Sequence, residues 1–478
     1  MDSISQPLYV AVAADMASLI AAGQLRPHDR VPSVRSLARQ RGISVTTAVA
    51  SLRHLEERGL IEARARSGYF VASPRELADE PVPVALPRTA RLAGAQAMLR
   101  QLTDASLNPA VVRLGQAIPD AALFPRAALQ RSLMRASRQT PTLVTAYALQ
   151  TEGDAALRTA ISRHYASVGA RVDKRELLIT NGCTEALSLA LGAVARAGDV
   201  IAVESPTYFG FLQLAEMRGI RVLEVPSDPS EGIAIESLRA LLAGPAGRSV
   251  RAVAVIPSFS NPTGASIPLN RRRELVRLCD SADVALIEDD VYGDLQHEGA
   301  RIPPCKAFDR EGRVILCGSY TKSMAPGLRI GFTAAGRYRD AMRAAKHVTA
   351  GASAPLPQAA IADFMAGGRY ERHLRKLRAA FARQVAQVSH CVQREFPVGT
   401  RISRPKGSFI LWVELPGDID TLALYEEANR YGVDFVPGSL FSASGRYRNC
   451  LRLNCGYPVT LQTEGALRRL GELIRTRS

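Results

Sequence analysis

Lysine is scarce in this chain: only Lys174, Lys306, Lys322, Lys346, Lys376 and Lys406 occur, while arginine supplies the rest of the 61 basic residues, so a lysine kept in a distinctive setting calls for a reason. Lys322 is such a residue. It stands in GSYTKSMAPGLRIGF between the strand-like run RVILCGSY and a Pro-Gly turn, with Ser319 three residues before it and Arg329 seven after. An amine held there is a nucleophile toward an aldehyde. Other chemistry-bearing residues recur at the ends of apolar runs: Asn181, Gly182, Cys183 and Thr184 in TNGCTEAL, Asn261 in SNPTG, and Asp289 with Tyr292 in IEDDVY. Together they offer a carboxylate, amide and phenol hydrogen-bonding groups, and a Gly-Cys-Thr helix start whose backbone N–H groups suit a phosphate.

Something must bring groups so far apart in sequence to one place. Strand-like runs after residue 110 are ELLITNG, DVIAVESP, RVLEVPS, VRAVAVIPSF, DVALIEDD, RVILCGSY and RIGFTAA. Helical stretches such as CTEALSLALGAVARAG and LNRRRELVRLCDSA lie between most of them. This alternation predicts an α/β domain with a largely parallel sheet. Ligand sites of open α/β sheets lie at the carboxyl edge of the strands, where Asn181, Asn261, Asp289 and Lys322 all fall.

A cofactor whose needs match this set is pyridoxal phosphate. Its aldehyde takes a lysine amine, and its ring nitrogen wants a carboxylate, for which Asp289 is the candidate. Asn261 and Tyr292 suit its phenolic oxygen; Gly182, Cys183, Thr184, Ser319 and Arg329 suit its phosphate. The stretches TNGCTEAL, ESPTYFG, PSFSNPTG, IEDDVYGDL, SYTKSMAPGLRIGF and CLRLN occur in that order, and the chain from about Val112 onward resembles the fold type I, class I/II aminotransferase family. The resemblance implies a pyridoxal-phosphate fold with a large domain over 111–353 and a smaller α+β domain over 354–478. It also implies that Lys322 carries the Schiff base, Tyr208 stacks on the ring, and Tyr147 in AYALQTEGDAALR touches the phosphate of a partner subunit. Arg452 would bind a substrate or effector carboxylate in a two-point contact. Plainer roles compete at some positions: Gly182, Pro262 and Gly264 suit turns, and Tyr208 suits a core. Asp290 adjoins Asp289, and Asp289 is preferred because Tyr292 then falls three residues on, as the family pattern has it.

The N-terminal segment carries a different pattern. Residues 8–22 place Leu8, Val12, Met16, Leu19 and Ile20 at helical spacing up to Gly23. Ser33 is a suitable N-cap for SVRSLARQ, and Ser44 for VTTAVASLRHLEERG, whose Val49, Leu52 and Leu55 are expected to face inward. Two short helices separated by RGIS read as a helix-turn-helix, and LIEARARSGYFVAS alternates around Ser67-Gly68 as a hairpin wing would. This segment, 1–73, resembles the winged helix-turn-helix domain of GntR-family regulators. The resemblance implies that Ser33 and Arg35 hold phosphates of double-stranded DNA, that Ser44, Thr46 and Thr47 face it, and that Arg64, Arg66 and Gly68 lie in the wing. Val45 stands where many relatives have arginine.

A net charge of +16 suits a polyanionic partner, although arginine-rich usage alone also follows from genome composition, so the motif carries that argument. Seven scattered cysteines and dispersed histidines make no metal set, and reduced thiols and no metal are expected. No apolar run approaches the ~18 residues of a membrane span. The start MDSISQPLYVAVAADM lacks a signal-peptide pattern, so a cytoplasmic protein is expected. Between the modules, 74–110 reads as a semi-rigid linker with Pro81, Pro83 and Pro87. The whole chain resembles the MocR subfamily of GntR regulators. That resemblance implies a homodimeric transcriptional regulator, with pyridoxal phosphate or its adduct with an amino acid or amine effector as signal. The competing expectation is an active aminotransferase with an accessory DNA-binding domain.

Overall fold

In the computed structural model, which describes residues 7–64, 67–72, 78–84, 86–87, 89–92, 108 and 111–477, the chain divides into two units. The first contains α1 (Leu8–Ala21), α2 (Val34–Arg41), α3 (Val45–Glu57), β1 (Ile61–Arg64) and β2 (Gly68–Val71). Ser33 Oγ accepts the N–H of Ser36 at 3.2 Å, and Ser44 Oγ accepts that of Thr47 at 3.0 Å, so both caps form as expected. Gly42 ends α2 at φ 62°, a left-handed conformation glycine adopts without strain. Along α3 the buried stripe is Ala48, Leu52 and Leu55, while Val49 stays half-buried. The small Ala48 takes the inward position because the spacing 48, 52, 55 follows one helix face and residue 49 sits at its flank. Val12, Met16, Leu37, Ile61 and Val71 close this core. The wing pairs antiparallel from Ile61↔Val71 to Arg64↔Gly68.

The second unit is built on an eight-stranded sheet, β3 (Leu177–Thr180), β4 (Val200–Ser205), β5 (Arg221–Asp228), β6 (Gly232–Ile233), β7 (Val250–Val255), β8 (Ala285–Asp289), β9 (Val314–Ser319) and β10 (Gly331–Ala334). Their spatial order is β3-β10-β9-β8-β7-β4-β5-β6. The run β9-β8-β7-β4-β5 is parallel; β10 lies antiparallel between β9 and β3, and β6 closes the far edge antiparallel to β5. All seven strand-like runs form strands. Only β6 is new, and two residues are too short to show a period. The central strands bury both faces, which is why VIAV, AVAV and ALI read as continuous apolar runs and not as alternation.

A second, antiparallel sheet in the order β11-β12-β14-β13 follows, from β11 (Arg401–Ile402), β12 (Ile410–Glu414), β13 (Val436–Pro437) and β14 (Cys450–Asn454). The helices Arg369–Glu395, Thr421–Arg430 and Leu461–Arg475 accompany it. Trp412 is buried opposite Arg452 in the β12/β14 register.

The described part of the proline-bearing stretch lies against this unit. Pro81 is buried, Val82 donates its N–H to Glu414 Oε2 at 2.9 Å, and Arg91 pairs with Val222 of β5. Among the described residues, no helix is long and apolar enough to cross a membrane, and no cluster of His, Cys, Asp and Glu forms a metal set.

Candidate functional site

Five strands of the larger sheet end at one edge, and each delivers a polar residue there. β3 leads into Gly182 and the helix Cys183–Val194; β4 leads to Tyr208; β7 to Asn261; β8 ends on Asp289; and β9 ends on Ser319 and runs into Lys322. Because β10 is antiparallel to β9, its start returns Arg329 to the edge that β9 left. Cys183, Thr184, Tyr208, Asn261, Asp289, Tyr292, Ser319, Lys322, Arg329 and Arg452 line one cavity of about 560 Å³. Gly182 backs it: a side chain there would place Cβ 2.6 Å from Nη2 of Arg329, at a backbone φ of +82°. Tyr147 is the expected residue that the chain leaves outside its own cavity, 85% exposed.

Lys322, half-buried, differs from the buried lysines. Lys306 pairs with Asp309 at 2.8 Å and Lys346 with Glu185 at 3.2 Å, so each has a carboxylate partner. Lys322 Nζ donates to the backbone carbonyl of Ala117 at 2.6 Å. Burial, then the cations Arg452 and Arg329, push its pKa down to about 8, with Asp289 opposing. Burial raises the Asp289 carboxyl to about 6, although it accepts the Val291 N–H at 3.1 Å and faces the Cys183 thiol at 3.5 Å. Tyr208 is pushed up to about 12 by burial and the charge of Asp289.

The choice between neighbouring carboxylates follows from strand geometry. Successive side chains point to opposite faces, so Asp290 turns away from the cavity. It accepts from Tyr165 Oη at 2.8 Å and pairs with Arg301, which also pairs with Asp294. Asp290 thus belongs to a buried ionic cluster.

Several contacts around the site carry no sequence signal, even where the residue itself was expected there, as Arg452 was. Arg452, fully buried, donates Nη1 to Asn261 Oδ1 at 3.0 Å and Nη2 to the carbonyl of Gly115. Glu204 accepts the N–H of Ile256 at 2.6 Å and the hydroxyl of Ser260 at 3.2 Å, fixing the loop that holds Asn261. Burial lifts its pKa to about 8. The Thr321 hydroxyl and the Arg452 Nε are buried and find no partner among the described residues. Gln116, Ala117 and Ile118 complete one wall. Thr321 was within reach of sequence reasoning, being next to Lys322; Glu204 and the carbonyl wall depend on contacts across dozens of residues.

In the first unit, Ser33, Arg35, Ser44 and Thr46 are exposed at the starts of α2 and α3, and Thr47 is half-buried with Oγ1 2.8 Å from Ser44 Oγ. Val45 is 56% exposed. Arg64 lies at the wing but is engaged locally, donating to Glu62 Oε1 at 2.7 Å with its guanidinium 4.6 Å from the Phe70 ring centre. Gly68 pairs opposite it at φ +98°. Arg66 lies outside the described residues.

Comparison with known proteins places these two units. The family described as bacterial regulatory proteins, gntR family, matches residues 8–71, and aminotransferase class I and II matches residues 112–466. Over 470 residues the chain is 37% identical to an HTH-type transcriptional regulator of Escherichia coli strain K12, YjiR, covering 98% of each. The crystal structure of a multiple substrate aminotransferase from Thermococcus profundus superposes with a TM-score of 0.74 at 27% identity, covering 80% of this chain and 95% of that one. The α-aminoadipate aminotransferase LysN of Thermus thermophilus, complexed with N-(5′-phosphopyridoxyl)-L-leucine, gives 0.72 at 29% identity, with the same coverage of 80% and 95%.

Proposed function

Because the chain belongs to the aminotransferase class I and II family and joins to it a GntR-type domain, in the MocR arrangement, we propose that it is a DNA-binding transcriptional regulator that reads pyridoxal phosphate or an amino compound attached to it. The observation that carries the cofactor reading is the convergence of Lys322, Asp289, Asn261, Tyr292, Arg329 and Arg452 on one cavity. GntR-family regulators bind DNA, and the class I and II fold family depends on pyridoxal phosphate.

The residues present fit that cofactor. Thr321 and Arg452 each hold a buried donor with no partner among the described residues, and Gly182 leaves the room that Arg329 occupies beside the helix start. When bound, pyridoxal phosphate supplies an aldehyde that condenses with amines and a ring that accepts electrons. Lys322 provides the amine, already partly neutral near pH 8. Asp289 is the carboxylate for the ring nitrogen, and its burial makes it a group that shares a proton instead of simply ionising. Asn261 and Tyr292 orient the phenolic oxygen, and Tyr208 covers the ring. The N–H groups of Gly182, Cys183 and Thr184, with Ser319 and Arg329, hold the phosphate. Arg452 takes a carboxylate, and its bond to Asn261 ties that event to the cofactor side. Val144, Tyr147 and Leu149 are all exposed, which supports a homodimer in which Tyr147 reaches the cavity of a second copy. On the DNA side, Ser33, Arg35 and Arg66 contact phosphates while Ser44, Thr46 and Thr47 face the bases.

The test pairs two measurements on the purified full chain. Operator-fragment retention is followed with and without pyridoxal phosphate, beside borohydride-sensitive absorbance. Absorbance that Lys322→Ala abolishes, together with retention that responds to the cofactor, is the expected result. A chain that forms the chromophore, turns amino acids into keto acids rapidly and ignores DNA would instead be an aminotransferase with an accessory domain. That second reading draws on the completeness of the cavity.

A further inference from the structure

Residues 111–118 follow directly after the proline-bearing connection 74–110, and the last three, Gln116, Ala117 and Ile118, line the cavity. The base of this stretch is held by backbone bonds: Val112 N–H to the Gly432 carbonyl at 2.9 Å, and Asn454 N–H to the Leu114 carbonyl at 2.7 Å. Gly115 sits so close to Asp434 that a Cβ would fall 2.1 Å from its Oδ2, and its N–H donates to that oxygen at 3.1 Å. The far end is fixed where Asn454 Nδ2 donates to the Ile118 carbonyl at 3.1 Å, and the tip between them is held differently. The Gly115 carbonyl accepts from Arg452 Nη2, and the Ala117 carbonyl accepts from Lys322 Nζ at 2.6 Å. Both are side chains that the proposed ligand would use.

We propose that this tip, residues 115–117, is a two-point latch that distinguishes cofactor alone, an amine adduct and an amino-acid adduct. It rests on the cofactor reading above and deepens it. Condensation of the Lys322 amine with an aldehyde joins Nζ to the carbonyl carbon and sends the oxygen out with both N–H hydrogens as water. The donor to Ala117 is then spent, while Gly115 stays held. An amine that displaces Lys322 returns that donor to Ala117. If the amine also carries a carboxylate, the anion competes for Arg452. Either two-point edge of a guanidinium includes Nη2, and a charged oxygen outcompetes the neutral Gly115 carbonyl there. The three ligand states therefore release Ala117, neither carbonyl, or Gly115. The base stays fixed in all three, so the change falls on the tip. The effector class that moves the latch past the cofactor-bound state to a distinct third one is an amine bearing a carboxylate.

The experiment is hydrogen exchange of peptides spanning 112–120 in the full chain. The probes are pyridoxal phosphate, pyridoxamine phosphate and N-(5′-phosphopyridoxyl)-L-leucine, with absorbance confirming each loading. Exchange at the tip should rise about tenfold with pyridoxal phosphate, the effect of losing one charged hydrogen bond. It should rise similarly, in a different subset of peptides, with the leucine adduct, and stay flat with pyridoxamine phosphate. Lys322→Ala should exchange fast at the tip before any addition and gain nothing from pyridoxal phosphate. Loading confirmed by absorbance with unchanged exchange overturns the latch, as does Lys322→Ala exchanging like the parent. Absence of any pyridoxal phosphate chromophore overturns the cofactor reading itself, so the two failures are told apart.

Discussion

The amine of Lys322 is held in surroundings that disfavour its charged form. Burial and the positive charges of Arg452 and Arg329 lower its pKa from 10.5 to about 8, against the pull of Asp289. At pH 7 an ordinary lysine is neutral in about three molecules per ten thousand, whereas a value of about 8 leaves about one in eleven neutral, a gain of about 300-fold. Only the neutral amine has a lone pair for an aldehyde. The rate at which the full chain captures pyridoxal phosphate, followed by absorbance at limiting cofactor, should therefore climb about tenfold per pH unit and level off near pH 8. The perturbation is Arg452→Met, which removes the cation with the larger effect on the amine. The amine then keeps its proton more tightly, so the levelling point moves up and the rate at pH 7 falls. A parent rate still rising at pH 10 would refute the depressed pKa. A levelling point that Arg452→Met leaves in place would refute the part assigned to Arg452.

Three further outcomes test other parts of the molecule. Gly182→Ala places a Cβ at φ +82° and 2.6 Å from Arg329, so pyridoxal phosphate should bind at least about tenfold more weakly by titration. Its thermal unfolding should change far less. Arg35→Ala should lower DNA affinity evenly across sequences and reduce the salt slope by about one, measured by retention at several salt concentrations. Arg301, whose side chain is 4% exposed, compensates the buried Asp290 and the half-buried Asp294, and Arg301→Met should cost about 3–5 kcal/mol in denaturant unfolding. Burial pushes the Asp294 carboxyl up, but Arg301 and His164 outweigh it and hold it well below the usual range. Its contribution is present above the unfolded pKa of about 4 and is lost as pH falls below that, so the gap between parent and Arg301→Met should narrow in acid.

Local chemistry is what the amino-acid order by itself determined. Caps such as Ser33 and Ser44, the left-handed Gly42 and the seven apolar runs of the sheet depend on neighbours within a few residues, and each is legible in one dimension. The lysine loop with Ser319 and Arg329 is short enough to read in the same way. Where a helix turns its face was less so: Ala48 and not Val49 completes the α3 stripe, since the two are a single step of about 100° apart and both are apolar. Tertiary structure alone decided that β10 runs backward between β9 and β3 and so returns Arg329 to the edge of Lys322. It also decided that Asp290 is consumed by Arg301, that Glu204 fixes the loop of Asn261, and that the carbonyls of Gly115 and Ala117 meet Arg452 and Lys322. Backbone carbonyls are the same in every residue, and a partner more than two hundred positions away leaves no mark on the letters beside it. Only the packed chain brings the two within reach.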